Sequence, residues 1–486
     1  MSQTMNKQAI TDGVLEHFLK FTEIPRPSGH EQAISDFLKK YLTGLGMTVQ
    51  QDEVNNIIAD LPATPGHKDA PLTILQGHMD MVCVAEEGHT YDPLHDPIKV
   101  IRGEKYLSAD GTSLGGDDGI GVAVAIYTML QAPEHGPLRL IVTVDEEQSM
   151  TGAVHLAAEH LTDASYLINC DSENYDEITV GSAGSVNVDF VREIERQAPK
   201  AKNAYELTLK GLKGGHSGER IGDGRANALR IMALAVQALR RAGKVELAAF
   251  AGGKARNAIP DAARAVIVTD VPAAELQQVL DAEMERYQEI YGTVDPNAQL
   301  QLHETGLPKK VYKNSFTTSL LQLLTILHSG VYAMSTVIPG LVETSANLGV
   351  VREEDDKLRV MFFPRSAVDQ KLAEIAAAMR ELAELTGFTA EIGTPAPGWK
   401  ENKDSWLAKV MPEIFAEQNG GQQMKVLTIH AGLECGWHFR KNPQLDMVST
   451  GVTSLDIHSP NEHIELATIA PQVELIMETL RRIAIK

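Results

Sequence analysis

The chain is poor in cysteine. Its 486 residues include only Cys83, Cys170 and Cys435, which are odd in number and lie far apart in the sequence. This usage predicts no disulfide framework and is typical of a protein from a reducing compartment. Because no CxxC pair occurs, a thiolate zinc site is excluded as well. Any metal would have to be held by histidine and carboxylate side chains.

Basic residues are also scarce. Lys and Arg number 44 against 65 Asp and Glu, which gives a formal net charge of −21. A nucleic acid or an anionic membrane needs a basic footprint on its partner, so neither is expected to bind. The best apolar run, residues 119–130, is far shorter than the roughly 20 residues of a membrane-spanning helix. The N-terminal residues lack the pattern of a signal peptide, and we therefore predict a cytoplasmic protein with small-molecule partners.

What the sequence does contain is a recurring pattern of strands that end in polar residues. Four apolar, strand-like runs are each followed by histidine or acidic side chains: Leu72–Gln76, Leu138–Val144, Tyr166–Cys170 and Asp446–Gly451. Helical patterns alternate with them, which predicts an α/β fold with a central sheet flanked by helices. Ligands of such sheets bind beyond the carboxyl ends of the strands, so we expect one shared site there.

Two boundaries within this pattern are predicted from local signals. Ser28 and Glu31 have the spacing of a capping box ahead of an amphipathic helix over residues 33–45. Residues 186–394 carry strands and helices of their own, among them a strand over residues 263–269 and a helix over residues 273–291, and motifs of the first domain resume after Pro397. We therefore predict one domain formed by residues 1–185 and 395–486, with a second α/β domain, residues 186–394, inserted into it.

His78 and Asp80 are the first candidates for a metal site. They are separated by one residue just past a strand, so in extended geometry both side chains point the same way. A metal-bound histidine commonly offers its second ring nitrogen to a carboxylate. The alternative is a chance pair in a surface loop. Asp117 and Asp118 stand at the start of a predicted helix, where ordinary helix capping and compensation of the helix dipole explain them when they are taken alone.

Glu146 and Glu147 strengthen the case for a metal site. Adjacent carboxylates after a strand face opposite ways, so one can bind a metal while its neighbour acts as a base. Asp171 also follows a strand, and His458 lies in a loop before the last predicted helix, which spans residues 465–485. Two histidines and three carboxylates suit a pair of divalent ions about 3.5–4 Å apart that share one carboxylate.

The chain resembles the co-catalytic zinc aminoacylase and carboxypeptidase family over nearly its whole length. Eight motifs in the family's order carry the resemblance: LQGHMDMV at residues 75–82, GGDDGIG at 115–121, EE at 146–147, NCDSE at 169–173, KGGHSG at 213–218, RNAIP at 256–260, HAGLECG at 430–436 and HSP at 458–460. The resemblance implies a zinc-peptidase catalytic domain with a central mixed sheet. It also implies that the inserted domain is a lid through which the protein can form a homodimer.

The resemblance further implies a role for each matching residue. His78 and Asp171 would bind one zinc, Glu147 and His458 the other, and Asp117 both, with cobalt or manganese as substitutes. Asp80 would hold the His78 ring, and Glu146 would be the general base. His216 would stabilise the oxyanion, while Asn257 and Arg365 would bind the substrate backbone and its carboxylate. Glu434 would line the substrate pocket.

The activity that the resemblance implies is hydrolysis of dipeptides, including Xaa-His dipeptides. Relatives that share the metals but not the pocket leave an N-acyl amino acid deacylase or a tripeptidase as alternatives. A third possibility is a metal-binding protein without catalysis. The presence of Glu146 beside a full set of ligands argues against this last possibility.

Overall fold

A computed structural model describes residues 6–336, 338 and 340–486. The chain forms two compact units. The first ends at Ser182 and resumes over Trp399–Thr428 and Leu433–Lys486, and the second comprises Ala183–Gly398 and Ile429–Gly432. None of the helices in the described residues combines the length and the apolar character that a membrane crossing needs.

The first unit is built on a mixed eight-stranded sheet. From edge to edge its strands are Thr48–Gln51, Ile57–Leu61, Leu138–Thr143, Thr73–His78, Tyr166–Asn169, Asp446–Ser449, Glu177–Ser182 and Lys425–Ile429. The four strands that the sequence predicted to end in polar residues are neighbours and run parallel. Their carboxyl ends therefore meet at one edge, which confirms the predicted sheet and the placement of its polar ends.

Helices cover both faces of this sheet. They are Lys7–Thr22, Gln32–Gly44, Gly116–Gln131, Thr151–His155, Glu159–Thr162, Leu407–Gln418, Glu434–Lys441 and Ile469–Ala484. Successive strand side chains point to opposite faces. Leu75 accordingly packs in the larger core with Phe18 and Ile476, while Ile74 packs in a second cluster with Leu161 and Cys435. A small separate sheet joins Ser454–Leu455, His463–Glu465, Tyr106–Ala109 and Val100–Arg102.

The second unit has its own antiparallel sheet and its own core. The main path of the sheet is Gln299–Thr305, Asn203–Lys210, Ala263–Thr269, Val245–Gly252, Val342–Glu354, Lys357–Ser366, Val188–Glu193 and Thr389–Ile392, with Gly330–Met334 and Gly184–Ser185 paired beside it. Two short ladders pair Arg196–Gln197 with Val311–Tyr312 and Gly215–His216 with Ala258–Ile259. The helices are Ser217–Arg220, Ala228–Ala242, Ala273–Tyr291, Asn314–Ile326 and Asp369–Thr386.

The predicted capping box is wrong. The helix begins at Gln32, and Glu31 precedes it without a side-chain cap. Glu31 Oε1 instead accepts a hydrogen bond from Gly29 N at 2.7 Å, and Ser28 Oγ donates to Asp80 Oδ2 at 2.7 Å. The hydroxyl of Ser28 thus binds the buried carboxylate of Asp80, which is distant in sequence, and does not cap the helix.

Candidate metal centre

Three of the predicted metal ligands come from the carboxyl edge of the eight-stranded sheet or from the loops that follow it, and a fourth comes from the small separate sheet. His78 is the last residue of its strand, and its side chain is buried with 1% exposed. Asp171 follows the neighbouring strand, and its Oδ1 lies 3.8 Å from His78 Nε2. Glu147 follows the strand on the other side of His78. His458 lies in a loop between two short strands and has a positive φ of 57°.

Asp117 lies between the two histidines. Its Oδ1 is 3.0 Å from His78 Nε2, and its Oδ2 is 3.2 Å from His458 Nε2. The same nitrogen of His458 is 2.8 Å from Glu147 Oε1. A carboxylate that presents one oxygen to each of two imidazoles has the geometry of a bridging ligand.

Asp80 holds this arrangement from behind. It is fully buried, and its Oδ1 lies 3.3 Å from His78 Nδ1. Its carboxylate also accepts hydrogen bonds from the backbone N–H of Glu146 at 3.0 Å and of Glu147 at 3.3 Å. One side chain therefore orients the ring of His78 and fixes the loop of both glutamates, which leaves His78 Nε2 directed at Asp117 and Asp171.

The glycines near Asp118 allow close packing behind the site. Asp118 is buried, and its Oδ2 accepts a hydrogen bond from His78 N at 3.2 Å. A side chain at Gly77 or at Gly121 would collide with this carboxylate. The peptide bond between Asp117 and Asp118 is cis. Gly77 and Gly121 thus have a packing role, because each lets its chain segment approach the carboxylate of Asp118 closely.

The cluster carries an excess of negative charge. Burial, reinforced by the charge of Asp117, raises the pKa of Asp171 well above its ordinary value. Burial likewise raises the pKa of Glu146 to about 8. Hydrogen bonds to Asp117 and Glu147 raise the pKa of His458 to about 10. The two kinds of shift differ in cause, since burial disfavours the charged form of the carboxyls, whereas neighbouring carboxylates favour the protonated form of His458.

These residues fit divalent cations. Three ligand atoms from Asp117, Glu147 and His458 lie within 4.8 Å of one another, as do three from His78, Asp117 and Asp171. Each set has three protein donors of the nitrogen and oxygen type that zinc accepts at catalytic sites. A further group joins His78 with Glu146 and Glu147. Glu147 contacts His458 directly, whereas Glu146 takes part only in this last group.

Glu434 lies among buried polar residues of the same unit. It is 1% exposed, and its Oε2 accepts hydrogen bonds from Gln76 Nε2 at 2.6 Å and from Thr143 Oγ1 at 2.7 Å. Its Oε1 is buried without a hydrogen-bond partner among the described residues. Burial raises the pKa of Glu434 to about 7, and the charge of His78 opposes that rise. The carboxylate is thus within electrostatic reach of the cluster.

The second unit contains the other predicted substrate-binding residues. His216 pairs with Ala258 in a short ladder, which makes Asn257 its neighbour. Arg365 is 7% exposed, and its Nε has no partner among the residues that the structure describes. Burial lowers the pKa of His216, and the positive charge of Arg365 lowers it further. The backbone of Asn257 therefore lies beside the segment of His216, and the charge of Arg365 reaches the His216 ring.

Sequence reasoning missed several residues that support these clusters. His430 belongs to the second unit, and its Nε2 lies 2.7 Å from Ser345 Oγ. Burial lowers the pKa of His430 to about 4, with a smaller effect from Arg365. Ser28 and Glu462 were missed in the first unit. His430 is the first residue of the HAGLECG motif, and Glu462 lies two residues after the HSP motif. Their positions in or beside these motifs are the signal that could have found them.

The comparisons with known proteins agree with this geometry. Residues 74–482 match the family described as Peptidase family M20/M25/M40. The chain is 34% identical over 477 residues to the cytosol non-specific dipeptidase of Escherichia coli (strain K12), a match that covers 96% of this chain and 97% of that protein.

Solved structures show the same fold. The aminoacylhistidine dipeptidase of Vibrio alginolyticus superposes with a TM-score of 0.89 and 33% sequence identity, over 97% of this chain and 96% of that chain. Aminopeptidase PepT of Bacillus cereus matches with a TM-score of 0.56 and 18% identity, over 98% and 99% of the two chains. At that identity the second match concerns the fold alone.

Proposed function

As a member of the peptidase family M20/M25/M40, this chain is a metallopeptidase, and we propose that it hydrolyses unblocked dipeptides, Xaa-His dipeptides among them. The family match confirms the resemblance found in the sequence. The two relatives that share about a third of their residues with this chain over nearly its whole length are both named as dipeptidases. That identity, sustained over nearly the whole chain, favours a shared substrate class over a shared fold alone.

The observation that carries the proposal is the position of Asp117 between two imidazoles. His78 and Asp171 would hold one divalent ion, Glu147 and His458 the other, and Asp117 both. We assign zinc to the pair, with cobalt or manganese as substitutes, because nitrogen and carboxylate donors suit all three. Two such ions, when bound, activate a water molecule and polarise the scissile carbonyl.

Glu146 is the general base of the proposed mechanism. Its backbone is fixed by Asp80, while its carboxylate has no contact with His458 comparable to that of Glu147. A carboxylate outside the ligand set keeps the basicity to take a proton from the attacking water. Glu146 would then deliver this proton to the nitrogen of the leaving amino acid.

The remaining residues would recognise the two ends of a dipeptide. Arg365, buried and with an unpartnered Nε, would bind the C-terminal carboxylate, and Asn257 would bind the substrate backbone. His216 would donate a hydrogen bond to the oxyanion. The free Oε1 of Glu434 would accept the substrate's ammonium group, which accounts for a preference for unblocked peptides.

A panel of small substrates tests this function. It contains β-alanyl-histidine, other dipeptides, their N-acetylated forms and their C-terminal amides. We expect the free dipeptides to be hydrolysed fastest, and we expect chelation to abolish activity that metal add-back restores. In Arg365→Ala, discrimination against the amides should shrink, because the carboxylate partner is gone.

Two results would contradict the proposal. N-acetylated substrates cleaved as fast as free dipeptides would favour an N-acyl amino acid deacylase. Tripeptides cleaved faster than dipeptides would favour a tripeptidase. The homodimer and the cytoplasmic location remain predictions from the sequence and the family.

A further inference from the structure

Glu462 binds the loop that carries Asp117. Its side chain is buried, with 2% of the residue exposed. Oε2 accepts hydrogen bonds from the backbone N–H of Leu114 at 2.7 Å and of Gly115 at 2.9 Å. Oε1 accepts them from Gly116 N at 2.7 Å and Asp117 N at 3.2 Å. One carboxylate thus fixes four consecutive residues that end at the bridging ligand.

The loop approaches this carboxylate closely because it is built from glycine. A Cβ at Gly116 would lie 3.1 Å from Glu462 Oε1 and 2.8 Å from Ile464 Cδ1. Gly115 has a φ of 72°, which is the left-handed region that favours glycine. A side chain at Gly116 would push the loop away from Glu462, and one at Gly115 would collide with Arg26 and Met81.

Arg26 holds the same loop through its carbonyl side. The fully buried guanidinium donates from Nη2 to Gly115 O at 2.6 Å. Its Nη1 donates to Met79 O at 2.9 Å and to Asp80 O at 3.1 Å, next to His78 in the chain. The loop of Asp117 is therefore bound by a buried cation through a carbonyl and by a buried anion through its amides.

Glu462 is also part of the loop that carries His458. Ser459 Oγ donates to Asp456 O at 2.6 Å, and Glu462 N donates to Ser459 O at 3.2 Å. These bonds close residues 456–462 into a compact turn in which His458 adopts its positive φ. Two of the three ligands at this position, Asp117 and His458, thus reach it through segments that Glu462 joins.

We propose that Glu462 is the positioning residue for the metal position formed by Asp117, Glu147 and His458. This inference depends on the proposed metal centre. Glu462 touches no ligand side chain, and it acts by fixing the backbone of Asp117 relative to that of His458. The other position shares Asp117 but not His458, so loss of Glu462 should weaken it less.

The charge and both oxygens of the side chain are needed for this role. A glutamine at position 462 has one acceptor oxygen, and its amide N–H group would face backbone N–H donors. Glu462→Gln therefore keeps the size of the side chain but breaks half of the contacts with the loop. Asp446→Asn is the matched control, because Asp446 accepts bonds from Trp406 N at 2.8 Å and Leu407 N at 3.1 Å at a different helix.

The test is to titrate the full-length, metal-depleted protein with Co²⁺. Competition with a chelating indicator gives the Kd values, and the visible absorption of bound Co²⁺ reports its coordination. We expect Glu462→Gln to raise the Kd of one of the two ions about 10- to 100-fold and that of the other ion less, the usual effect of losing a residue that orients ligands. Its cobalt spectrum should change, and saturating metal should restore much of kcat. Asp446→Asn should leave both Kd values within about twofold of wild type.

A purely structural role would give a different result. Glu462→Gln with a lowered unfolding midpoint but both wild-type Kd values would overturn the inference. Should this variant not fold, Glu462→Asp keeps the charge and shortens the reach, and wild-type Kd values there would overturn it equally. Wild-type protein that binds fewer than two ions would overturn the metal centre, and with it this inference. Two ions bound without dipeptide hydrolysis would contradict only the proposed function.

Discussion

At the scale of single residues, charge explains why the cluster gathers around Asp117. Buried carboxylates raise one another's pKa, and only the nearby imidazoles and bound cations relieve that cost. Asp117 differs from Asp171 and Glu146, because hydrogen bonds from His458 and His78 overcome the effect of burial and hold the pKa of Asp117 below its ordinary value. It therefore stays an anion, as a bridging ligand must.

Removing one imidazole should remove one ion. His458→Ala leaves His78, Asp117 and Asp171 in place, so we expect one metal ion per chain instead of two and activity lowered by at least about 100-fold. Elemental analysis of the purified variant measures the stoichiometry. His155→Ala is the control, because His155 is exposed and its Nδ1 binds Thr151 O within the same helix. Two ions in His458→Ala would rule out His458 as a ligand.

The sequence points to the proposed metal ligands more readily than to the residues that orient them. His78, Asp117 and Glu147 stand at strand ends or in motifs, where residue type and position indicate a ligand. Ser28 was assigned to a helix cap because its contact with Asp80 lies 52 residues away in the chain. Glu462 was missed for the same reason, since its four contacts are about 346 residues distant. Local spacing does not contain such pairings.

At the scale of elements, the helix Glu434–Lys441 combines a polar first turn with a buried histidine. His438 is fully buried, and neither ring nitrogen has a hydrogen-bond partner among the described residues. Burial lowers the pKa of His438 from 6.5 to about 3, and the charge of Lys441 contributes. The folded chain thus holds this imidazole neutral, while the unfolded chain protonates it below about pH 6.5.

This difference predicts a dependence of stability on pH. As pH falls from 7.5 to 4.5, protonation of the unfolded state alone should lower the free energy of unfolding by about 2–3 kcal/mol. His438→Leu should lack this component, so the stability of the variant relative to wild type should rise by that amount. Urea unfolding followed by tryptophan fluorescence reports it, because all three tryptophans lie in the first unit.

The exposed position His155 supplies the control for that experiment. His155→Leu removes an imidazole from the surface of the same unit and should leave the difference from wild type flat between pH 7.5 and 4.5. If the difference in free energy of unfolding between His438→Leu and wild type were also constant over this pH range, His438 would have a similar proton affinity in the folded and unfolded chains.

Elements with strong local patterns were predicted well. The helix Ala273–Tyr291 and the strand Ala263–Thr269 begin and end where the periodicity of the sequence placed them. The last helix was predicted from residue 465 but begins at Ile469, because His463–Glu465 pairs as a strand with Tyr106–Ala109. That partner lies more than 350 residues away, and the local pattern gives no sign of it.

At the scale of the whole molecule, the two units have separate cores, and all proposed metal ligands lie in the first. Removing the ions should therefore destabilise the first unit and leave the second unchanged. If the free metal stands at 100 times its Kd, the loss is about 2.7 kcal/mol. Hydrogen exchange measured by peptide, before and after chelation, locates the change.

We expect faster exchange after chelation in peptides around residues 114–118, 145–148 and 456–462. Peptides from the sheet of the second unit, such as Ala263–Thr269, serve as the internal control and should not change. Equal acceleration in both units would contradict the assignment of the metal centre to the first unit alone.

The acidity of the chain is a property of the whole molecule. The chain has 65 acidic residues and a net charge of −21. Only five of these carboxylates belong to the proposed centre: Asp80, Asp117, Glu146, Glu147 and Asp171. The excess charge thus disfavours polyanionic partners, whereas the chemistry depends on a few carboxylates at the ends of neighbouring strands. Composition argues against nucleic-acid and anionic-membrane partners, and the positions of the five carboxylates support the proposed reaction.

The central claim is that Glu146 is the base beside a pair of metal ions that it does not hold. The most direct test measures metal content and kcat together in Glu146→Gln, with Glu147→Gln as the matched variant one residue away. We predict that Glu146→Gln binds two ions and loses about 10²- to 10⁴-fold in kcat, the usual contribution of a general base, whereas Glu147→Gln loses metal. Glu146→Gln with wild-type kcat, or with fewer than two ions, would contradict the account.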